Sequence, residues 1–325
     1  MLLTLLLTTI PTLLYAWLLW WLDRYEKEPL PLLVAVFMWG AVPAVALALI
    51  AETDLQISTL GVEPGRHPLW LAPLVEEPLK ALALAAIFLF FRYEFDGVLD
   101  GIIYGALIGF GFAMTENAIY LHHHATTLSS TLWLRAVLFG FSHAFFTSIV
   151  GVALGLIRYD RRPWIGWATF PGALLLAMFF HALHNAAVSY TFPGILIAWL
   201  ISSGGALIVV LVAVIAWTRE RFWIERELIE EIQAGLLDEA TYHVVRSGRR
   251  RIRVQLQGLA RGGLRELRRV RELHHLLTEL AFLKYQLRIG DCHCRPHDLL
   301  PLRNRIRQIH PAARQAAKPS PATLL

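Results

Sequence analysis

Cysteine is almost absent from this sequence of 325 residues, and the two cysteines present, Cys292 and Cys294, are one residue apart. So short a spacing suits a structural disulfide poorly, and a framework of covalent bridges is excluded. Charge is also scarce, since 17% of the residues are charged, 56% are hydrophobic and the mean hydropathy is +0.50. This composition differs from that of a soluble globular domain. The apolar residues form long blocks, which indicates a protein that crosses a bilayer several times.

Seven apolar blocks each have about 20 residues or more, which is the length that a helix needs to cross a hydrocarbon core of ~30 Å. They cover residues 1–22, 30–51, 69–91, 98–123, 131–157, 164–190 and 194–217. The first block has no basic stretch before it and no small-residue cleavage site, so we interpret it as a retained helix. We predict an all-α, polytopic membrane bundle of about seven transmembrane helices.

Basic residues are concentrated after the last apolar block. Residues 1–217 hold nine Lys and Arg against 13 Asp and Glu, whereas residues 218–325 hold 21 against 12. We therefore predict a transmembrane core over 1–217 and a basic, mostly helical cytoplasmic tail over 218–325, disordered at its end. The partner that we expect for the basic face is anionic lipid, and nucleic acid is the less favoured interpretation.

The connections between the blocks alternate in charge. Lys and Arg follow the first, third, fifth and seventh blocks, and the other connections hold almost none. Because positively charged loops face the cytoplasm, we predict a plasma-membrane protein with its N-terminus outside and its C-terminus in the cytoplasm.

Ionisable and amide side chains interrupt four of the apolar blocks. A charged group near the bilayer centre costs about 2.5–3.5 kcal/mol, so such groups are expected to be functional or paired. They are Glu76, Glu77 and Lys80 in the third block, Glu116 and Asn117 in the fourth, His143 in the fifth, and His181, His184 and Asn185 in the sixth. At 1.5 Å per residue they reach similar depths on the outer side of the midplane, which indicates a single polar centre.

Small residues recur every four positions ahead of one of these groups. Gly101, Gly105 and Gly109 form this stripe, and a similar one surrounds His143. Stripes of this kind let two helices approach closely. Because Glu116 lies near the direction of Gly109 on the helix, we expect it to point into the bundle.

Simpler interpretations of individual residues stay open. Glu76 and Lys80 are one turn apart and can neutralise each other without any further role. A single buried histidine is often only a hydrogen bond between helices, and we favour packing for His184. Buried Glu and His chains also serve as proton relays, so a proton-coupled transporter or channel is the alternative function, although no inverted repeat is visible.

The order of these motifs resembles the PrsW family of intramembrane proteases. The motifs are Glu76–Glu77 with Lys80 (EExxK), Phe139 to His143 (FxxxH) and His181 to Asn185 (HxxxN). The same order is similar to that of the wider superfamily that contains the CAAX prenyl endopeptidases and the bacteriocin-processing homologues. The chain departs from the pattern at His184, where an aromatic residue is expected. We favour His181 as the working histidine because it lies one turn from Asn185.

The resemblance implies a glutamate-dependent endopeptidase that cuts membrane-anchored proteins, such as an anti-sigma factor. Glu76 would activate the hydrolytic water, and Glu77 would orient the water or share that task. The physical chemistry agrees, because amide hydrolysis needs a base, a positioned water and donors for the oxyanion.

The resemblance also implies roles for residues on the other helices. His143 would help hold the water, and Glu116 would line the site. His181 and Asn185 would stabilise the oxyanion.

A metal ion is the competing mechanism in the core. His143, His181, Glu77 and Glu116 are candidate ligands for zinc, with one position left open for water. The sequence contains no HExxH, which favours metal-free hydrolysis without deciding the question.

The tail holds a second candidate metal site. Cys292, Cys294 and His297 have the donor types that suit a soft metal. The alternative is a plain exposed loop in a reducing cytosol, which is the interpretation we favour.

Overall fold

A computed structural model describes residues 2–22, 28–55, 69–123, 130, 132–158, 162–189, 192–290 and 295–310. The described residues are helical and contain no strand, which confirms the all-α prediction. The end of the tail, for which the sequence predicts disorder, lies outside these residues.

The helices are named α1 to α11 in chain order. They are α1 (Leu2–Leu22), α2 (Leu30–Trp39), α3 (Val45–Leu55), α4 (Leu71–Phe90), α5 (Val98–His123), α6 (Ser142–Ile157), α7 (Pro163–Val188), α8 (Phe192–Gln233), α9 (Glu239–Val245), α10 (Gly248–Ile289) and α11 (Leu299–Ile309). A π-helical segment, Gly40–Ala44, joins α2 to α3, and a second one, Trp133–Leu138, precedes α6. Pro43 accounts for the first, because proline cannot donate the regular helical hydrogen bond.

Six helical stretches of the described chain are long and apolar enough to cross a membrane. They correspond to α1, α2–α3, α5, the second π-helical segment with α6, α7, and α8. The remaining predicted span is α4, which has the required 20 residues but carries Glu76, Glu77 and Lys80. The protein is therefore a multi-pass membrane protein, and α4 is the most polar of its predicted spans.

The helix α5 lies at the centre of the bundle. In its apolar stretch 78% of the residues are buried, against 17% in α1 and 12% in α7. The outer helices leave large apolar side chains exposed, such as Leu2, Ile10 and Leu175. Lipid is the solvent that suits such a surface.

The predicted small-residue stripe is the contact between α5 and α6. A Cβ atom at Gly101 would lie 2.0 Å from the carbonyl oxygen of Gly151, and one at Gly109 would lie 2.4 Å from that of His143. Only glycine permits backbones to approach so closely. Because Gly109 touches the backbone of His143, this crossing determines where the first turn of α6 lies.

Residues from Trp217 onward form a second compact unit, to which the last turns of α8 belong. Its buried apolar core comes from α8, α9, α10 and α11, through residues such as Ile224, Tyr242, Leu277, Leu280 and Ile306. Leu277, Leu280 and Ile306 are completely buried, so this unit has a hydrophobic core of its own.

The helix α10 is a hairpin of two arms. Gly263 has φ 65° and ψ −157°, which only glycine adopts readily, and the chain reverses there. Gln255 Nε2 lies 3.3 Å from His274 Nδ1, and a Cβ at Gly258 would lie 3.4 Å from Val270. The first arm begins at Gly248, where exposed arginines favour helix.

Candidate active site

The helix α4 supplies two carboxylates and the ammonium group between them. Lys80 Nζ lies 2.9 Å from Glu76 Oε2 and 2.8 Å from Glu77 Oε1, and the lysine is completely buried. The spacings i,i+4 and i,i+3 put the three side chains on one helix face. The neutralising pair that the sequence predicts is therefore present, and the lysine is shared by both glutamates.

His143 connects this group to α5. Its Nδ1 lies 3.0 Å from Lys80 Nζ and 3.9 Å from Glu76 Oε2. Its Nε2 lies 2.9 Å from Glu116 Oε2. Because Lys80 can only donate, Nδ1 acts as an acceptor and Nε2 carries the proton that Glu116 accepts.

Arg135 holds Glu116 in this orientation. Its Nη2 lies 2.8 Å from Glu116 Oε1, and its Nε donates to Asn117 Oδ1 at 3.0 Å. The guanidinium also lies 4.1 Å from the ring centroid of Tyr120. Arg135 belongs to the π-helical segment before α6, a type of segment often found at functional sites.

His181 brings α7 to the same group. Its Nδ1 lies 2.9 Å from Glu77 Oε1, and its ring stacks on Phe146 with the centroids 4.9 Å apart and the planes at 15°. Its ring also meets that of His143 edge to face, with the centroids 5.1 Å apart. The hydrogen bond and the two ring contacts fix the orientation of the imidazole.

A cavity of about 670 Å³ opens onto this cluster. Its walls include Glu76, Glu116, His143, His181 and Asn185, together with apolar residues such as Leu69, Leu71, Val188 and Ile195. Among the described residues Glu77 does not line the cavity and is only 1% exposed. Of the two adjacent glutamates, Glu76 therefore faces the cavity, and Glu77 lies behind it against His181.

Asn185 and His184 both line the cavity, and His184 also contacts the next helix. Asn185 lies on the cavity wall one turn after His181. His184 Nδ1 lies 3.1 Å from Ser202 Oγ on α8, and its ring meets Phe139 edge to face at 5.0 Å. A hydrogen bond between helices agrees with the packing interpretation of His184.

Four of these residues form a group that fits a metal ion. One donor atom from each of Glu76, Glu77, His143 and His181 lies within 4.8 Å of the others, and all four residues are buried. Among the described residues no group hydrogen-bonds the buried Oε2 of Glu77, which leaves an acceptor for a cation. Carboxylate and imidazole donors suit zinc. Glu116, a ligand candidate in the sequence, lies outside this group of four.

The candidate metal site in the tail is described only in part. Cys292 and Cys294 lie outside the described residues. The His297 side chain is 67% exposed, and its Nε2 lies 3.3 Å from Asp298 Oδ1.

Sequence reasoning missed two charged residues of the cavity wall. Arg135 is a lone arginine in the fifth apolar block. The free energy of placing its charge in lipid is as unfavourable as that of Glu116, so it could have been predicted to be functional or paired. Glu52 lines the cavity from the end of α3, at the edge of a predicted span. Its position at that edge made it appear to be an ordinary interfacial residue.

Comparison with known proteins identifies relatives of the membrane region. The sequence profile described as "PrsW family intramembrane metalloprotease" matches residues 28–218. Protease PrsW of Geobacillus kaustophilus is 31% identical over 165 residues, which cover 50% of this chain and 69% of that protein. Protease PrsW of Clostridioides difficile is 30% identical over 168 residues (48% and 69%), and that of Bacillus subtilis is 30% identical over 148 residues (45% and 66%). No solved structure matches the chain.

The description of the family as metalloproteases bears on the choice of mechanism. The absence of HExxH favoured metal-free hydrolysis, whereas this description and the group of four donors favour a metal. The four donors come from α4, α6 and α7, so no local sequence signature joins them.

Proposed function

Because the chain belongs to the PrsW family of intramembrane proteases, we propose that it hydrolyses membrane-anchored proteins with a water molecule activated by Glu76. The observation that carries the proposal is the position of Glu76. Its carboxylate lines the cavity and lies in one group with His143 and His181. A base beside a space that admits a substrate chain is the first requirement of amide hydrolysis.

Glu76 takes a proton from the water as the water oxygen attacks the scissile carbonyl carbon. The protonated carboxyl then gives this proton to the leaving amine, so that the base is restored. Lys80 holds Glu76 in place through an ion pair. Glu77 acts behind the site, where it accepts the proton of His181 Nδ1 and orients that ring.

His181 and Asn185 supply the donors for the oxyanion. Both line the cavity on successive turns of α7. With both ring nitrogens of His181 protonated, Nδ1–H donates to Glu77 while Nε2–H and the Asn185 amide N–H can reach one substrate oxygen. Donors held in place before the reaction stabilise the charge that develops on that oxygen. Glu116 acts through His143, to which it is hydrogen-bonded.

In the alternative with a metal ion, Glu77, His143 and His181 would hold the ion as ligands instead of making the hydrogen bonds described above. When bound, such an ion lowers the pKa of a coordinated water and polarises a carbonyl group. The ligand group agrees with the description of the family, and zinc is the ion that we propose.

The substrate class and the topology follow from the position of the site and from charge. We propose a membrane-anchored substrate, with an anti-sigma factor as one example, cut near its outer membrane boundary. The basic connections support an N-terminus outside the plasma membrane and a C-terminus in the cytoplasm. Residues 1–217 would carry the protease, and residues 218–325 would face the cytoplasm and anionic lipid.

Cleavage of a membrane-anchored reporter by the purified full chain in nanodiscs tests the proposal. Glu76→Gln and His143→Ala are expected to lose about 100-fold or more in rate, as for the loss of a general base. Glu94→Gln, at an exposed carboxylate of α4–α5, is the matched control. Full cleavage by both site variants, or proton flux without cleavage in liposomes, would contradict the proposal.

A further inference from the structure

The family match covers residues 28–218, so it assigns no role to the unit beyond it. The first arm of α10, residues 248–262, stands out in this unit by its charge. It holds five arginines and no acidic residue: Arg249, Arg250, Arg251, Arg253 and Arg261. We name this segment the basic arm.

The basic arm also exposes a row of apolar side chains. Ile252, Leu256 and Leu259 are 44%, 59% and 38% exposed. The spacing i, i+4, i+7 places them on one face of the helix. Arg249 and Arg253 lie directly beside this row at 100° per residue, so apolar and basic groups share the outward surface.

A neighbouring face of the basic arm is already occupied by the second arm of the hairpin. Arg251 and Gly258 are buried there, and Gln255 contacts His274. The exposed row therefore belongs to an ordered helix that packs against the second arm through another face.

Two exposed arginines of the basic arm differ from two arginines of α11 in the same unit. Arg303 and Arg305 pair with Glu231 and Glu272, at 2.5 Å and 2.7 Å. In the part of the chain that the structure describes, Arg249 has no acidic partner within ion-pair distance, and Arg253 has none either. The basic arm thus presents positive charge that this unit does not neutralise.

We propose that the basic arm binds the surface of a bilayer that contains anionic lipid. The exposed leucines enter the interface and the arginines contact the headgroups, which is the arrangement of interfacial amphipathic helices. Nucleic acid would use the arginines but would leave Leu256 and Leu259 in water. Because the chain is a multi-pass membrane protein, a bilayer is present at high effective concentration.

A fluorophore on the basic arm tests this binding in the full chain. Bimane is attached at Leu256→Cys in a Cys292→Ser/Cys294→Ser background, and the protein is placed in nanodiscs that carry a doxyl-labelled lipid quencher. Quenching is expected in discs that contain phosphatidylglycerol and is expected to be weak in phosphatidylcholine alone. Leu300→Cys, at a leucine that is 56% exposed on α11, is the matched control and is expected to show no dependence on lipid charge.

Removal of arginine charge gives the size of the effect. Arg249→Gln/Arg253→Gln is expected to lower the bound-to-free ratio by about fivefold per arginine. Equal quenching in the two lipids, or quenching that the arginine pair does not change, would overturn the proposal. So would protection of the fluorophore by duplex DNA but not by lipid. Reporter cleavage measured in the same discs reports on Glu76 independently, so either proposal can fail alone.

Discussion

Lys80 Nζ lies 3.0 Å from His143 Nδ1, on a different helix, while it also contacts both glutamates of its own helix. One buried cation therefore joins α4 to α6. The ammonium group contacts three of the four residues whose donor atoms fit a metal, so Lys80 affects both the charge and the position of the site.

Replacement of Lys80 by methionine is expected to destabilise the protein. Glu76 and Glu77 then remain buried without their cation, and the loss of one partner of a buried pair costs about 3–5 kcal/mol. Thermal unfolding of the chelator-treated protein in nanodiscs measures the loss. Added zinc is expected to restore part of it, because zinc supplies the missing positive charge.

The control for this prediction removes one carboxylate as well. Lys80→Met/Glu77→Gln leaves one buried charge fewer, so it is expected to unfold at a higher temperature than Lys80→Met alone. An unfolding temperature of Lys80→Met equal to that of the native chain would show that the ammonium does not stabilise the cluster.

Arg135 is expected to act as a positioning residue through Glu116. Without the guanidinium, Glu116 is free to turn away from His143, and the loss of such an outer contact typically costs about 10–100-fold in activity. Arg135→Gln should lower kcat with little change in KM for the reporter. Arg135→Lys should recover part of kcat, because it keeps the charge but not the two-pronged geometry.

Arg162→Gln is the control for Arg135, since Arg162 is an exposed arginine at the start of α7. A fall in KM and kcat together, or an equal fall in Arg162→Gln, would speak against positioning of His143 by Arg135.

Gly109→Ala is expected to lower activity by displacing His143. The new Cβ would lie 2.4 Å from the His143 carbonyl oxygen and 2.6 Å from the Ala144 nitrogen, so α6 must move. A shift of ~1 Å in a catalytic group can cost about 100-fold in rate. At Gly172 the added Cβ would meet nothing within 4 Å, so Gly172→Ala should keep its activity in the same reporter assay.

The sequence predicted the membrane helices and the joining of Glu76, Glu77, Glu116, His143 and His181, because charge in an apolar block has few stable locations. The roles of these residues remain predictions. Of the partners of Lys80 only Glu76 was predicted, and the partners of Arg135 were not, since contacts between helices depend on helix rotation and side-chain rotamers. The hairpin at Gly263 was also missed, because a glycine pair within an arginine-rich helical pattern gives no sign of its φ angle.

Gly263→Ala should destabilise the second unit. The φ of 65° with ψ of −157° is costly for any residue with a Cβ, by about 1–3 kcal/mol, although the space around it is open. Hydrogen exchange over 264–289 in the full chain should become faster. Gly258→Ala is the control and should not accelerate exchange, because its Cβ makes an ordinary contact with Val270 and alanine favours helix.

The stability of the second unit should fall as the pH is lowered. Burial, and then the charge of Arg251, lower the pKa of His274 to about 3. In the unfolded chain His274 binds a proton near pH 6.5, whereas in the folded unit it stays neutral until about pH 3. The stability that is present above pH 6.5 is therefore lost progressively between pH 6.5 and 3, by about 2 kcal/mol at pH 5. Hydrogen exchange corrected for intrinsic rates measures this, and His274→Gln should show a smaller loss.

The most direct test of the central claim is the single-turnover rate of reporter cleavage by Glu76→Gln at saturating enzyme. Reporter binding and the unfolding temperature are measured on the same sample. The account predicts a rate lower by about 100-fold or more with reporter affinity unchanged, because the cavity keeps its shape while the base is lost. A single-turnover rate equal to that of the native chain would contradict the assignment of Glu76 as the base.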